Sequence, residues 1–311
     1  MPSSRGIKAA YWSSDDEFPA SLINTSFFTH IYYAFLLPKP STYKLHITFL
    51  DRIKIKEFMI APCFKNSHVK TLLAIGGANN DPIVFSKMVS NKKTHAIFIN
   101  SSIKSSRGKP HLLLTSTVYY ASKFMVSGEP RSYPNNAICK FVDWVSPMCF
   151  DFHGSWNNVT GLNSALYDPK RNVSTSYGIR SWIQAGVPPQ KLVMGLPLYG
   201  RTWKLQDPSI NGIGAPTVGV GSRNGTMAYF EILEFNNKTS PTVVYDTQFG
   251  SYYSYSGVSW IGYDDMDSVS LKIQFTRSQG LGGYFLWALG MDKDWIISRK
   301  ASTSSAWGRR Q

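Results

Sequence analysis

Seven short runs of β-branched, aliphatic and aromatic residues recur along the chain, separated by polar or amphipathic stretches. They are Ile7 to Trp12, Phe28 to Phe35, Val69 to Ile75, Leu112 to Tyr119, Val142 to Phe152, Leu192 to Tyr199 and Gly283 to Leu289. Each is nearly continuously apolar, as a strand must be when both its faces are covered. Helical stretches from about Pro82 to Ile103 and from Asp267 to Gln279 precede the fourth and the last run. Alternation of this kind predicts an α/β protein with a parallel sheet. A chain of 311 residues fits one α/β barrel, which takes about 250 residues, together with an insertion. Such a barrel closes with eight strands, so the reading is one strand short.

The insertion is expected between the sixth and last runs. Over 204–262 the texture shifts to Gly, Asn, Ser, Thr and Tyr, with a helical stretch near Ala228 to Phe235. Alternating segments at Thr242 to Tyr245 and Ser251 to Tyr255 complete a small α+β unit. The barrel then comprises 1–203 and 263–311. The tail after Trp295 is polar and basic and reads as a final helix that frays.

Composition removes several function classes. No stretch approaches the roughly 20 apolar residues that span a bilayer, so no membrane partner is expected. The net charge of +14 comes from scattered cations, without a helix-turn-helix, zinc-finger or RNA-binding signature. A solvated basic surface is the reading, with no nucleic-acid partner. The cysteines, Cys63, Cys139 and Cys149, are too few and too widely spaced for a disulfide framework or a zinc site. Cys139 and Cys149 are expected to be buried free thiols. Six Asn-X-Ser/Thr sequons, at Asn24, Asn100, Asn158, Asn172, Asn224 and Asn237, point to a secretory ancestry. Met1 to Gly6 nevertheless has no apolar core of a signal peptide, so the chain as written is expected in the cytosol.

A set of motifs narrows the reading further. They include Ala-Ala-Tyr-Trp at 9–12, Phe-Thr-His-Ile at 28–31 and Lys-Thr-Leu-Leu-Ala-Ile-Gly-Gly at 70–77. Asp-Trp-Val at 143–145, Met148 with Asp151, and Gly-Ile-Arg-Ser-Trp-Ile-Gln-Ala-Gly at 178–186 follow. Then come Gly-Leu-Pro-Leu-Tyr-Gly-Arg-Thr-Trp at 195–203, Trp-Ile-Gly-Tyr-Asp-Asp at 260–265 and Gly-Tyr-Phe-Leu-Trp at 283–287. In this order they resemble the plant class V chitinases of glycoside hydrolase family 18, over nearly the whole chain.

The resemblance implies a TIM (β/α)8-type barrel acting on β-1,4-linked N-acetylglucosamine polymers, in an extracellular or vacuolar setting. The family's hydrolysis is retaining and substrate-assisted, an exception to the two-carboxylate scheme. It implies no metal and no organic cofactor, because the nucleophile is the substrate's own N-acetyl oxygen. The acid is a Glu in an Asp-x-x-Asp-x-Asp-x-Glu motif at the end of the fourth strand. Here Lys104 to Pro110 leads straight into His111 and the next apolar run, so that fourth βα unit is expected to be missing. None of Glu17, Glu57, Glu129, Glu231 or Glu234 stands in the motif's spacing and strand context, so no general acid is named.

The resemblance also implies a set of sugar contacts. Asp151, at the end of a strand, would orient the N-acetyl group, and Trp287 would floor the reaction subsite. Phe150 stands where the family has a hydrogen-bonding Tyr, and a phenyl ring cannot donate that bond. Tyr199 and Arg201 follow the sixth run; Arg201 reads either as a donor to the sugar or as one half of a structural ion pair. Tyr11, Phe35 and Met148 are barrel-lining candidates, and Tyr263 and Asp264 are expected on the groove wall. Gly76 and Gly77 read as close backbone packing. The expectation is a chitinase-like protein that recognises chito-oligosaccharides without cleaving them. The alternatives are an active chitinase, a lectin-like binder and a truncated, non-functional form.

Overall fold

The computed structural model describes residues 6–14, 18–78, 80–104 and 112–305. They fall into two compact bodies: Ala10 to Leu113, and the chain up to Ala9 joined with the chain from Leu114. Residues 105–111, on which the expected loss of a βα unit rests, and Glu17 lie outside the described residues.

The boundary falls inside strand β1 (Ile7–Ser13). The smaller body continues with β2 (His30–Pro38), β3 (Leu45–His46), α1 (Phe49–Lys65), β4 (Lys70–Ile75), α2 (Pro82–Ser90) and α3 (Lys92–Lys104). β2 and β4 pair in parallel, with His30 opposite Lys70. Helix α1 starts on a capping box: Thr48 Oγ1 accepts from Asp51 N at 3.0 Å, and Asp51 Oδ2 accepts from Thr48 N at 2.8 Å. The other oxygen of Asp51 accepts from the Tyr33 hydroxyl of β2 at 3.1 Å. One carboxylate therefore fixes both the start of the helix and its position on the strand. Trp12 stacks on Phe58 of α1 at 5.5 Å, and Tyr33 meets the same ring edge-on at 5.7 Å.

The single helix expected from Pro82 to Ile103 is two. Asn91 leaves helical geometry (φ −126°, ψ 128°), and its Oδ1 accepts from Lys93 N at 2.8 Å, restarting the chain as α3. Gly77, at φ +99°, fits the backbone-packing reading: a Cβ there would stand 2.6 Å from the Phe35 ring.

The larger body contains β5 (Thr115–Tyr119), β6 (Lys123–Val126), β7 (Glu129–Ser132), α4 (Asn135–Phe141), β8 (Trp144–Met148), α5 (Thr175–Gln184) and β9 (Val193–Pro197). A second series follows: β10 (Tyr199–Leu205), β11 (Thr217–Val220), β12 (Thr226–Ala228), α6 (Tyr229–Thr239), β13 (Thr242–Asp246), β14 (Ser251–Ser256) and β15 (Ser259–Tyr263). The chain ends with α7 (Met266–Ser278), β16 (Gly283–Trp287) and α8 (Ile296–Ser304). β5 pairs in parallel with β8, a parallel bridge from Val145 to Leu192 carries the order on to β9, and β9 pairs in parallel with β16. Strands β10 to β15 form a separate antiparallel sheet, in the order β11-β10-β15-β14-β13 with β12 also on β10.

All seven expected runs contain strand, though five of the strands are shorter than their apolar stretches. Coverage of both faces holds for β9, buried throughout, and for most of β2, β8 and β16. It fails for β4, where Leu72, Leu73 and Ile75 are half-buried, and for β5. Among the described residues β4 has β2 as its partner in the parallel sheet, and β5 has β8. A strand at an edge covers one side only, which accounts for their exposure.

Three further points concern local elements. The hairpin β6–β7 was not anticipated; it turns on Ser127 and Gly128, both at positive φ (50° and 83°), the geometry of a two-residue type I′ loop. Cys139 sits on α4 and is only half-buried, whereas Cys149 is fully buried, which pushes its thiol up to about 12. The last helix is anchored at its start, where Asp292 accepts from Ile297 N, Ser298 N and Ser298 Oγ, and the end of the tail, 306–311, lies outside the described residues.

Candidate functional site

The parallel order β5-β8-β9-β16 places the ends of β8 and β16 on the same side of that sheet. Met148, Asp151 and Trp287 stand at those ends, the position from which sites in α/β sheets project. Met148 is exposed and Trp287 half-buried, while Phe150 is buried, edge-on to Tyr199 and Phe285 at 6.1 Å each. The phenyl ring thus packs inward, between the strand end and the core.

Asp151 adopts positive φ (59°), and its backbone N–H donates to Asn163 Oδ1 at 3.1 Å. The same amide donates through Nδ2 to the Tyr199 carbonyl at 2.9 Å, so Asn163, itself buried, ties the β8 turn to β10. The Asp151 carboxylate then collects three donors on one oxygen. Oδ1 accepts from the Tyr199 hydroxyl at 2.7 Å and from Arg201 Nε and Nη2 at 2.9 and 2.6 Å. No described residue bonds to Oδ2, and the side chain is 38 % exposed. Burial, and then the neighbouring Asp151 charge, raise the Tyr199 hydroxyl well above its ordinary value, so it remains a donor.

Arg201 stands on β10 directly opposite the last residue of the insertion. Opposite Gly262 on β15, its Nη1 also donates to Thr226 Oγ1 at 2.7 Å. Its guanidinium stands 5.2 Å from the ring of Trp156, a residue the sequence reading passed over. Trp156 is 56 % exposed, and its ring crosses Gly154 so closely that a Cβ there would lie 2.4 Å from it. A large exposed indole fixed beside an ion pair offers the apolar face of a sugar something to stack on. Its only advance signal was a Trp in a polar, Gly- and Asn-rich loop.

Two expected wall residues are interior. Tyr263 is 1 % exposed, packed with Met227, Ile232 and Ile261, and its hydroxyl accepts from Asn236 Nδ2 at 3.1 Å. Asp264 is 3 % exposed and holds Lys272 Nζ at 2.5 Å, with Ser164 and Ser268 hydroxyls donating to its two oxygens. Desolvation lowers the ammonium of Lys272, and the Asp264 charge opposes that shift. Asp264 is therefore a structural counter-ion. Tyr11 and Phe35 belong to the smaller body, where Tyr11 is buried, stacked on Tyr32 at 4.5 Å and tilted against Phe35 at 6.2 Å.

The sequence profile of the glycosyl hydrolases of family 18 matches residues 7–107 and 102–292. A class V chitinase of Medicago truncatula is 46 % identical over 347 residues, covering 97 % of this chain and 90 % of the relative. Among solved structures, a class V chitinase from Nicotiana tobaccum in complex with NAG4 superposes with a TM-score of 0.93. It shares 31 % identity and covers 98 % of this chain and 99 % of its own. A chitinase-like agglutinin from Robinia pseudoacacia superposes with a TM-score of 0.87 at 32 % identity, covering 97 % and 100 %. The mixed α/β structure matches the TIM-barrel-like fold of these chitinases. This chain belongs to glycosyl hydrolase family 18, among the homologues of the plant class V chitinases.

Proposed function

We propose that the chain binds β-1,4-linked N-acetylglucosamine oligomers at Asp151 and does not hydrolyse them. The observation that carries the reading is the one-sided carboxylate of Asp151. Three internal donors saturate Oδ1, which leaves Oδ2 of this partly exposed side chain as an oriented acceptor for an N–H or O–H of a ligand. Trp156, Met148 and Trp287 supply apolar and aromatic surface at the same strand ends and loop. The Nicotiana relative, whose structure holds an oligomer of N-acetylglucosamine, supports that choice of ligand.

The reading without hydrolysis rests on the fourth βα unit and its acid. Supporting it, the family profile matches in two segments that meet at 102–107. The Medicago alignment runs over 347 residues against 311 in this chain, so that relative carries residues this chain lacks. The half-exposed strands β4 and β5 flank the same stretch of sequence. The described glutamates are otherwise engaged or exposed: Glu231 pairs with Arg223 and caps α6, Glu234 pairs with Lys238, and Glu57 and Glu129 are solvent-exposed. The Robinia relative is described as an agglutinin, which favours binding without turnover over an active chitinase. The antiparallel insertion is read as 204–262, although its sheet starts at Tyr199.

The test is calorimetric titration with chitohexaose, with chromatography of the same samples for shorter products. Saturable binding without products is expected. Product formation abolished by Asp151→Ala would establish an active chitinase instead, and no binding would remove the ligand assignment.

A further inference from the structure

The larger body has an open surface cavity of about 290 Å³ around the start of α5, none of whose lining residues bonds to the Asp151–Arg201 group. That is room for about ten waters, or for a single pyranose ring. Its walls include Tyr167, Asp168, Arg171, Tyr177, Arg180 and Gln248.

The frame of this cavity is tied together by hydrogen bonds. Leu166 N and Tyr167 N both donate to the Phe249 carbonyl, at 2.8 and 3.2 Å, and the Tyr120 hydroxyl donates to the Asn172 carbonyl at 3.0 Å. Ser174 Oγ accepts from Tyr177 N at 3.3 Å and closes the turn into α5. Asp168 Oδ1 is used within its own turn, accepting from Lys170 N and Arg171 N at 2.9 and 3.0 Å.

The two guanidiniums are not part of that frame. Arg171 and Arg180 are exposed, and among the described residues neither side chain has a hydrogen bond or an ion pair. Two cations and one carboxylate among its lining residues give the cavity a net positive charge. A guanidinium fork matches a carboxylate or a phosphate with two parallel bonds. Tyr167 is 41 % exposed and held edge-on against Phe275 at 6.3 Å, so part of its ring is open to a sugar face. The Gln248 amide can both donate to and accept from hydroxyls.

We infer that this cavity is a second saccharide site, selective for a pyranose that carries an anionic group, either a carboxylate or a phosphate. It is independent of the chito-oligosaccharide reading, because it shares no residue with Asp151 and its partners. The anion engages Arg171 and Arg180, and the ring lies against tyrosine.

Titrations of the full chain with glucuronate, glucose 6-phosphate, glucose and inorganic phosphate test this. At least one of the two acidic sugars is expected to saturate, more tightly than glucose or inorganic phosphate, and to show which anion the site takes. The Arg171→Gln/Arg180→Gln variant, with an unchanged melting temperature, is expected to bind that sugar about tenfold more weakly or worse. Asp151→Ala is expected to bind it as the parent does. The inference is overturned if neither acidic sugar saturates, if the double variant binds equally well, or if inorganic phosphate binds as tightly as the sugar.

Discussion

Arg201 grips Asp151 through a single oxygen: Nε and Nη2 both donate to Oδ1, at 2.9 and 2.6 Å, while Oδ2 has no described partner. A symmetric fork would have used both oxygens and left neither free of an internal partner. Asp151→Asn keeps the shape but removes the charge and turns one acceptor into a donor. Chitohexaose affinity should fall about tenfold or more, read by calorimetry. Unchanged affinity would take Asp151 out of the site.

Trp156 tests the aromatic side of the same proposal. The ring is mostly exposed, so Trp156→Ala should leave stability within about 0.5 kcal/mol. Oligomer binding should weaken by about fivefold to tenfold, since one stacking face is lost. A drop in melting temperature together with binding would mean that the ring holds the loop instead of the sugar.

The buried pair Asp264–Lys272 should behave oppositely, with a large effect on stability. Lys272→Met strands a carboxylate in the interior and should cost about 3–5 kcal/mol in urea unfolding. Removing both charges, Asp264→Leu with Lys272→Met, should recover a substantial part of that loss. A double variant less stable than the single one would contradict a purely structural role.

His30 gives the smaller body a pH dependence. Burial, and then the nearby Lys70 charge, lower its folded value from 6.5 to about 4, so the native state keeps the ring neutral. The unfolded chain binds the proton first, hence stability is full above about pH 6.5 and falls as pH drops toward 4. The shift corresponds to about 3 kcal/mol at most. Unfolding measured at pH 7 and pH 5 should show this slope, and His30→Gln should flatten it; an identical slope in the variant would assign it to other groups.

Much of the frame was legible in the residues. The apolar runs located β1, β2, β4, β5, β8, β9 and β16 because strands of a parallel sheet carry their burial in local composition. The break at Asn91 and the Ser127–Gly128 turn use ordinary local signals, an Asn that recaps a helix and a Ser-Gly pair; the first is hidden inside the longer helical pattern from Pro82 to Ile103, and the second lies between two apolar runs. Trp156 was not legible, since nothing periodic surrounds it and its place depends on Gly154 beneath and Arg201 beside it.

The sequence by itself determined the order of the seven apolar strands, the family, and Asp151 near a strand end, because each is written in residue type and spacing along the chain. Only the tertiary structure decided which carboxylate is open and which is interior. Asp151 and Asp264 both follow a strand, yet Asp264 meets Ser164, one hundred residues earlier in the chain, and a fully buried Lys272. Burial and hydrogen-bond partners are set by segments that meet across such distances, and the free energy of a buried charge depends on those partners, not on its neighbours in sequence.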